Sequence, residues 1–211
     1  MPLAYIPKHF TFTKLKKQHD FIDKYNFGQL IVVKQDSLNI THLPFLLDRD
    51  CKPKGKLLSH VAVSNPIWKD LEAARVIAVF SGPHAYISPR WYETNDQVPT
   101  WNYSAIYVQG TARIIEPETL DELLTRLVEK EENQLVSRDK WSTQDISDSK
   151  YQMMRKSIVG IELNIEEIEA KLKMSQNRTT VDQLGVVAAL KALGSDTAAA
   201  VASAIETKSI D

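Results

Sequence analysis

The stretch RVIAVFSGPHAYISP, residues 75–89, decides the class of fold. Val, Ile, Phe and Tyr stand here among small and polar residues, a composition that suits a pleated, half-buried surface, and Gly82-Pro83 punctuates the run. It reads as two strands, 75–82 and 84–89. Working outward, the same texture recurs as QLIVVK (29–34), LNITHLPFLL (38–47), KLLSHVAV (56–63), SAIYVQGTARII (104–115) and IVGIELNI (158–165). Such runs, with few long helices between them, predict an antiparallel barrel or sandwich and not a parallel sheet with helical crossovers.

Helical patterns flank these strands. TKLKKQHDFIDKY (13–25) places Leu15, Phe21, Ile22 and Tyr25 at helical spacing behind a Thr cap, and NPIWKDLEAA (65–74) opens with Asn65 as N-cap and Pro66 at the first helical position. Residues 117–134 carry Leu120, Leu123, Leu124, Leu127 and Val128 on one face, and a further helix is expected over 147–157. The tail, 179–208, reads as two helices broken at Gly194-Ser195-Asp196. A single domain over 1–211 is expected, mainly β with flanking helices (α+β), with a barrel core over 28–166 and a C-terminal helical extension over 179–208.

Composition narrows the function. The 211 residues are 43% hydrophobic and 25% charged, with a net charge of −1 and a pI near 6.5. That balance argues against a chain whose main task is neutralising nucleic-acid phosphates. Cys51 is the one cysteine, so neither an internal disulfide nor a multi-cysteine metal site is available. The N-terminus lacks a basic segment followed by an apolar run, and no stretch approaches a membrane span. A soluble, cytoplasmic protein is the expectation.

Familiar catalytic loops are missing: there is no G-x-G-x-x-G, no G-x-x-x-x-G-K-[ST], no H-E-x-x-H and no G-x-S-x-G. His42, His60 and His84 lie in strand regions, where histidines held by backbone hydrogen bonds are more frequent than metal ligands. The tail helices have the outline of a helix-turn-helix. A recognition helix, however, needs Arg, Lys, Asn or Gln to reach bases and phosphates, and SDTAAAVASAIETK offers Ala, Val and Ser with a final Lys208. Small apolar side chains of this kind suit close packing against the barrel or a partner subunit.

The most informative feature is SPRWYETNDQVPTWNY, residues 88–103, which holds two of the four tryptophans. Any one of Trp91, Tyr92, Trp101 and Tyr103 is readily explained as core or turn packing. Several together in polar loops, stiffened by Pro89 and Pro99 and flanked by Arg90, Thr100 and Asn102, suit a planar ligand with a polar edge. A flavin needs an aromatic or apolar platform, amide partners for its pyrimidine edge, and hydroxyls or a guanidinium for its phosphate.

THLPFLLD (41–48), HVAVSNPIW (60–68), FSGPHAYISPRWY (80–92), VPTWNY (98–103) and KMSQNR (173–178) together resemble the successive signatures of the PaiB-type, FMN-binding negative transcriptional regulators. The resemblance implies a six-stranded antiparallel Greek-key split barrel plus C-terminal helices, like that of the pyridoxamine-phosphate-oxidase type. It also implies a homodimer with FMN in a groove at the subunit interface. Carried over, it implies that Thr41, His42, Leu43 and Pro44 end one strand at the groove. His60, Val61 and Asn65 would follow at the next strand and its helix N-terminus, a favourable place for a phosphate. Trp91, Tyr92, Thr100, Trp101, Asn102 and Tyr103 would wall the pocket, with Ser175, Gln176, Asn177 and Arg178 approaching from the C-terminal segment. Arg178 is the leading candidate for the anion. His60 also reads as a structural histidine, and Asn177 and Arg178 also read as loop braces. The chain departs from the family pattern at Ser59, where Gly is usual, and at Val63-Ser64, where Arg-Ala is usual, which removes one charge-assisted anchor for the phosphate.

Three functions compete. One is a flavin-binding regulator that represses transcription directly at DNA or through a partner. Another is a flavin- or haem-dependent oxidoreductase on the same fold, with His60 or His42 near the reactive edge of the ring. The third is a structural dimer without cofactor.

Overall fold

The computed structural model describes residues 2–35, 37–72, 74–136 and 139–207. Ala73 and Lys208, which belong to the helical stretches expected over 65–74 and 179–208, lie outside them. In chain order the elements are α1 (Leu15–Lys24), β1 (Phe27–Lys34), β2 (Ser37–Pro44), β3 (Leu46–Asp48), β4 (Lys56–Ala62), β5 (Arg75–Ile87), β6 (Thr100–Ile114), α2 (Pro117–Glu132), α3 (Asp148–Arg155), β7 (Ile158–Lys173), α4 (Thr180–Ala192) and α5 (Asp196–Thr207). Short 3-10 turns cover Pro66–Asp70 and Pro89–Trp91.

The expectation of six strands is corrected. Seven strands form one sheet in the order β2-β1-β5-β6-β7-β4-β3. The run 38–47 divides because Pro44 has no N–H to give a ladder and the Phe45 N–H donates to the Asn26 carbonyl at 2.8 Å. Leu46 then pairs with Leu58 of β4. The runs 75–82 and 84–89 fuse into β5, because Gly82 serves close approach and not a turn. A Cβ there would lie 2.4 Å from Ser104 Oγ and 2.8 Å from the Phe21 ring. β7 runs past its expected end at Ile165, since beyond the exposed Glu166-Glu167 pair the chain is again half-buried and then buried, at Ala170, Lys171 and Leu172.

Two compact units can be distinguished. One comprises residues 26–79 and 108–167. Here β1 pairs antiparallel with β2 and β5, and β4 pairs with β3 and β7. The sheet curls enough that β2 lies against β4, where Ser59 Oγ donates to the Pro44 carbonyl at 2.6 Å. Leu120, Leu123 and Leu127, spaced to share one face of α2, pack with Leu46, Leu58 and Ile115.

The other unit comprises residues 1–25, 80–107 and 168–211. Its core joins Ile87, Tyr92, Leu172 and Met174 to Val186, Val187 and Leu190 of α4 and to Ala198, Val201, Ala202, Ala204 and Ile205 of α5. The small side chains of the tail are therefore packing residues. Gly194, at φ +67°, ends the first tail helix in the left-handed region that glycine tolerates. Among the described residues no helix is long and apolar enough to cross a membrane.

Candidate functional site

The residues expected at a cofactor groove fall into a group of seven in the first unit and a group of ten in the second. In the first unit, Asn65 caps the 3-10 turn by accepting from the Ile67 N–H at 3.1 Å, and its Nδ2 donates to Thr41 Oγ1 at 3.2 Å. That bond ties the middle of β2 to the turn after β4. His42 is exposed, stacked on Phe27 with centroids 6.1 Å apart, and its Nε2 lies 3.1 Å from Gln29 Nε2. Leu43 and Val61 are buried in the core.

His60 faces elsewhere. Successive strand residues point to opposite faces, and while Ser59 turns to Pro44, His60 lines a cavity with Leu124, Val128, Tyr151 and Ile158. Burial pushes its pKa below the ordinary histidine value, and its Nδ1 has no hydrogen-bond partner. The two departures from the family pattern also acquire physical roles: Ser59 is fully buried by its bond to Pro44, while Val63 is exposed and its carbonyl accepts from Trp68 Nε1 at 3.1 Å.

In the second unit the two aromatic pairs part company. Ser88 caps the turn that carries Trp91, and that turn is pinned by α4. A Cβ on Gly185 would stand 2.2 Å from the Trp91 carbonyl, so only glycine permits this approach. Asp182 accepts from the Glu93 and Thr94 N–H groups at 3.1 and 3.0 Å and from Thr94 Oγ1 at 2.5 Å. Those hydrogen bonds, that of the Thr94 hydroxyl first, hold its carboxyl below the usual range. Tyr92 is buried beneath the Arg178 guanidinium, 4.7 Å from its ring, and its hydroxyl has no partner.

Trp101 is instead 53% exposed, edge-on to Tyr86 at 6.0 Å and tilted toward His84 at 6.2 Å. Behind it Asn102 is 1% exposed; its Nδ2 donates to Ser175 Oγ at 2.8 Å and its Oδ1 has no partner. Ser175 sits at φ +57°, a left-handed bend in which Gln176 accepts from the Met174 N–H at 2.6 Å. Asn177 is exposed, and Arg178 donates to Gln97 Oε1, which braces the loop 93–99.

Two cations of β7 join this face, and the motif reading passed over them. Lys173 Nζ donates to Thr100 Oγ1 at 2.5 Å, and Lys171 Nζ, only 7% exposed as a residue, lies 4.9 Å over the Tyr103 ring and donates to the Tyr5 carbonyl at 2.9 Å. Among the described residues neither of them, nor Arg178, pairs with a carboxylate. Burial lowers the pKa of Lys173, and the charges of Lys171 and Arg178 add to that, with Tyr103 opposing. The signal was present in AKLK (170–173), where two lysines one residue apart in a strand must share a face. Three cations that lie over aromatic rings and make no ion pair among the described residues, a threonine hydroxyl and an exposed indole can hold a planar molecule with an anionic arm. No group of three His, Cys, Asp or Glu side chains that could hold a metal occurs among the described residues.

The profile of the family described as "Putative FMN-binding domain" matches residues 4–167. Protease synthase and sporulation protein PAI 2 of Bacillus subtilis is 35% identical over 188 residues, 89% of each chain. Among solved structures, the flavocytochrome Anf3 from Azotobacter vinelandii superposes with a TM-score of 0.57 at 12% identity, covering 80% of this chain and 72% of its own. The FAD- and heme-binding protein from Mycobacterium smegmatis gives 0.53 at 14% identity, with 77% and 73% covered. At these identities the two structures share a fold with this chain.

Proposed function

The chain belongs to the PaiB-type family of FMN-binding domains, and from that membership we propose that it is a flavin-binding split-barrel protein whose cofactor is FMN. The observation that carries this reading is the set of Lys171, Lys173 and Arg178, without carboxylate partners among the described residues, of which Lys173 bonds to Thr100 and Lys171 covers Tyr103, the residues that flank the exposed Trp101 in β6. A buried lysine without a counter-charge is unfavourable unless an anion arrives, and the phosphate of FMN is such an anion. The indole supplies the apolar platform for the ring system. When bound, the flavin supplies redox chemistry; the residues of this chain bind, orient and neutralise it.

A homodimer with residues of both subunits around each flavin belongs to the same proposal. It is supported by an apolar sheet face on β1 and β2, where Phe27, Leu38 and Ile40 are exposed and His42 stacks on Phe27. A second copy of the chain is the natural cover for that face.

As for the biological role, we infer a negative transcriptional regulator that acts through a partner. The one cation among the described residues of α4 and α5, Lys191, is paired with Glu206 at 2.7 Å, and the net charge is −1. The alternative, a flavin- or haem-dependent oxidoreductase, is favoured by the flavocytochrome and the FAD- and heme-binding protein that share the fold.

The test is the visible spectrum of the purified protein after FMN is added and the excess removed. Retained oxidised-flavin bands are expected, with FMN held more tightly than riboflavin. A colourless protein overturns the flavin reading, and a haem band with reduction by NADH or NADPH favours the oxidoreductase. Steep salt dependence of binding to a promoter fragment would show direct DNA contact.

A further inference from the structure

The cavity lined by His60 has features that a flavin groove does not explain. It measures about 210 Å³ and lies among β4, α2, α3 and the segment 141–146, bounded by Leu124, Val128, Trp141, Met154 and Ile158. An apolar cavity of about 150 Å³ is sufficient to bind benzene and stays dry without it. This cavity therefore has room for one substituted ring, and it is smaller than the 300 Å³ or more typical of sites for larger ligands such as a haem.

Two of its polar side chains are occupied. Arg155 donates to Asp121 at 2.5 Å and to the Pro117 carbonyl at 2.7 Å, and the Tyr151 hydroxyl donates to Asp121 at 2.9 Å. These bonds brace α3 against α2. His60 also lines the space: its Nδ1 has no hydrogen-bond partner, and burial disfavours the charged form of the imidazole. A neutral imidazole offers one donor and one acceptor. A phenolic hydroxyl can serve either, whereas an alkyl ring serves neither. Trp141, Tyr151 and Met154 supply ring and thioether surfaces that favour an aromatic occupant. Trp141 and Met154 are also half exposed, which places an entrance at the rim.

We propose that this cavity is a second small-molecule site, distinct from the flavin face, which takes a single-ring phenol with its hydroxyl on His60. Its residues belong to one unit of the chain and include none of Trp101, Lys171, Lys173 or Arg178. A regulator so equipped has a sensor for a small aromatic molecule apart from its cofactor.

The experiment uses the full chain and two probes of nearly equal size, p-cresol and toluene, followed by NMR of the Met154 and Ile158 methyl groups. Saturable shifts at both methyls are expected, with p-cresol bound at least fivefold more tightly than toluene. Leu124→Trp, or Val128→Phe should the first fold poorly, fills the space and abolishes the shifts while FMN retention stays as in the parent. His60→Phe keeps toluene binding and erases the preference for p-cresol. Absence of saturable shifts with either probe overturns the site. So do shifts that survive a folded cavity-filled variant, or a p-cresol preference that survives His60→Phe.

Discussion

The turn at Trp91-Tyr92 and the strand at Trp101-Asn102-Tyr103 are built from the same residue types behind the same kind of proline, yet they have opposite fates. The first is locked: Gly185 admits its carbonyl, Asp182 gathers its N–H groups, and Tyr92 lies in the core of the tail helices. The second is presented: Trp101 projects outward, and the cations of β7 line up behind Thr100 and Tyr103. An aromatic pair is thus buried or presented according to what the distant chain brings to it. For the first pair that is α4; for the second it is the end of β7.

Four changes test this contrast, from the largest expected effect to the smallest. Gly185→Val drives a side chain into the Trp91 backbone, which cannot yield as a side-chain tip would. A loss of about 3 kcal/mol, at the upper end for overpacking, is expected in urea unfolding, with little change in flavin affinity per folded molecule. If stability were unchanged, the turn would not be locked by α4. Lys173→Gln removes a charged donor from the presented face. Affinity for FMN should fall by about 2 kcal/mol, roughly thirtyfold, while riboflavin, which lacks the phosphate, binds as before. An equal fall for both ligands would remove the phosphate from this face.

Trp101→Ala should weaken both flavins by about 1 kcal/mol, the scale of an aromatic contact, and leave the unfolding midpoint nearly untouched because the ring is half exposed. Unchanged flavin affinity would reduce Trp101 to surface packing. The smallest effect lies outside both clusters and serves as their control. His60 has a lowered pKa in the folded protein, so below the ordinary value of 6.5 the unfolded chain takes up the proton first. Stability should therefore decline as pH falls from about 6.5 toward the folded-state pKa, and His60→Phe should flatten that part of the profile. An unaltered slope would mean that burial does not shift the titration of this imidazole.

Strand texture was legible wherever a run kept its alternation, and so were the Asn65 cap, the helix at Pro117 and the break at Gly194. The errors in strand boundaries share a cause. Gly82-Pro83 has the chemistry of a turn, yet the space it vacates is filled by Phe21 and Ser104, and no local pattern reports neighbours so far along the chain. Pro44 ends a strand for the converse reason, because its neighbour Phe45 bonds to Asn26. In the candidate site, the residue types of the aromatic pairs were readable and their division between core and surface was not. Lys171 and Lys173 show the opposite case: their common face follows from strand periodicity alone, while the absence of an opposing carboxylate requires the fold.

The clamp between Asp182 and the loop at residues 93–94 spans 89 and 88 positions of sequence. During synthesis every residue of the unit formed by 26–79 and 108–167 is added to the chain before any of α4 or α5. The Trp91 turn is made early and waits for Asp182, an anchor translated 89 positions after Glu93. The half bearing the indole and its lysines can therefore close only after α4 has been made, with the slow loop closure that such long-range contacts impose.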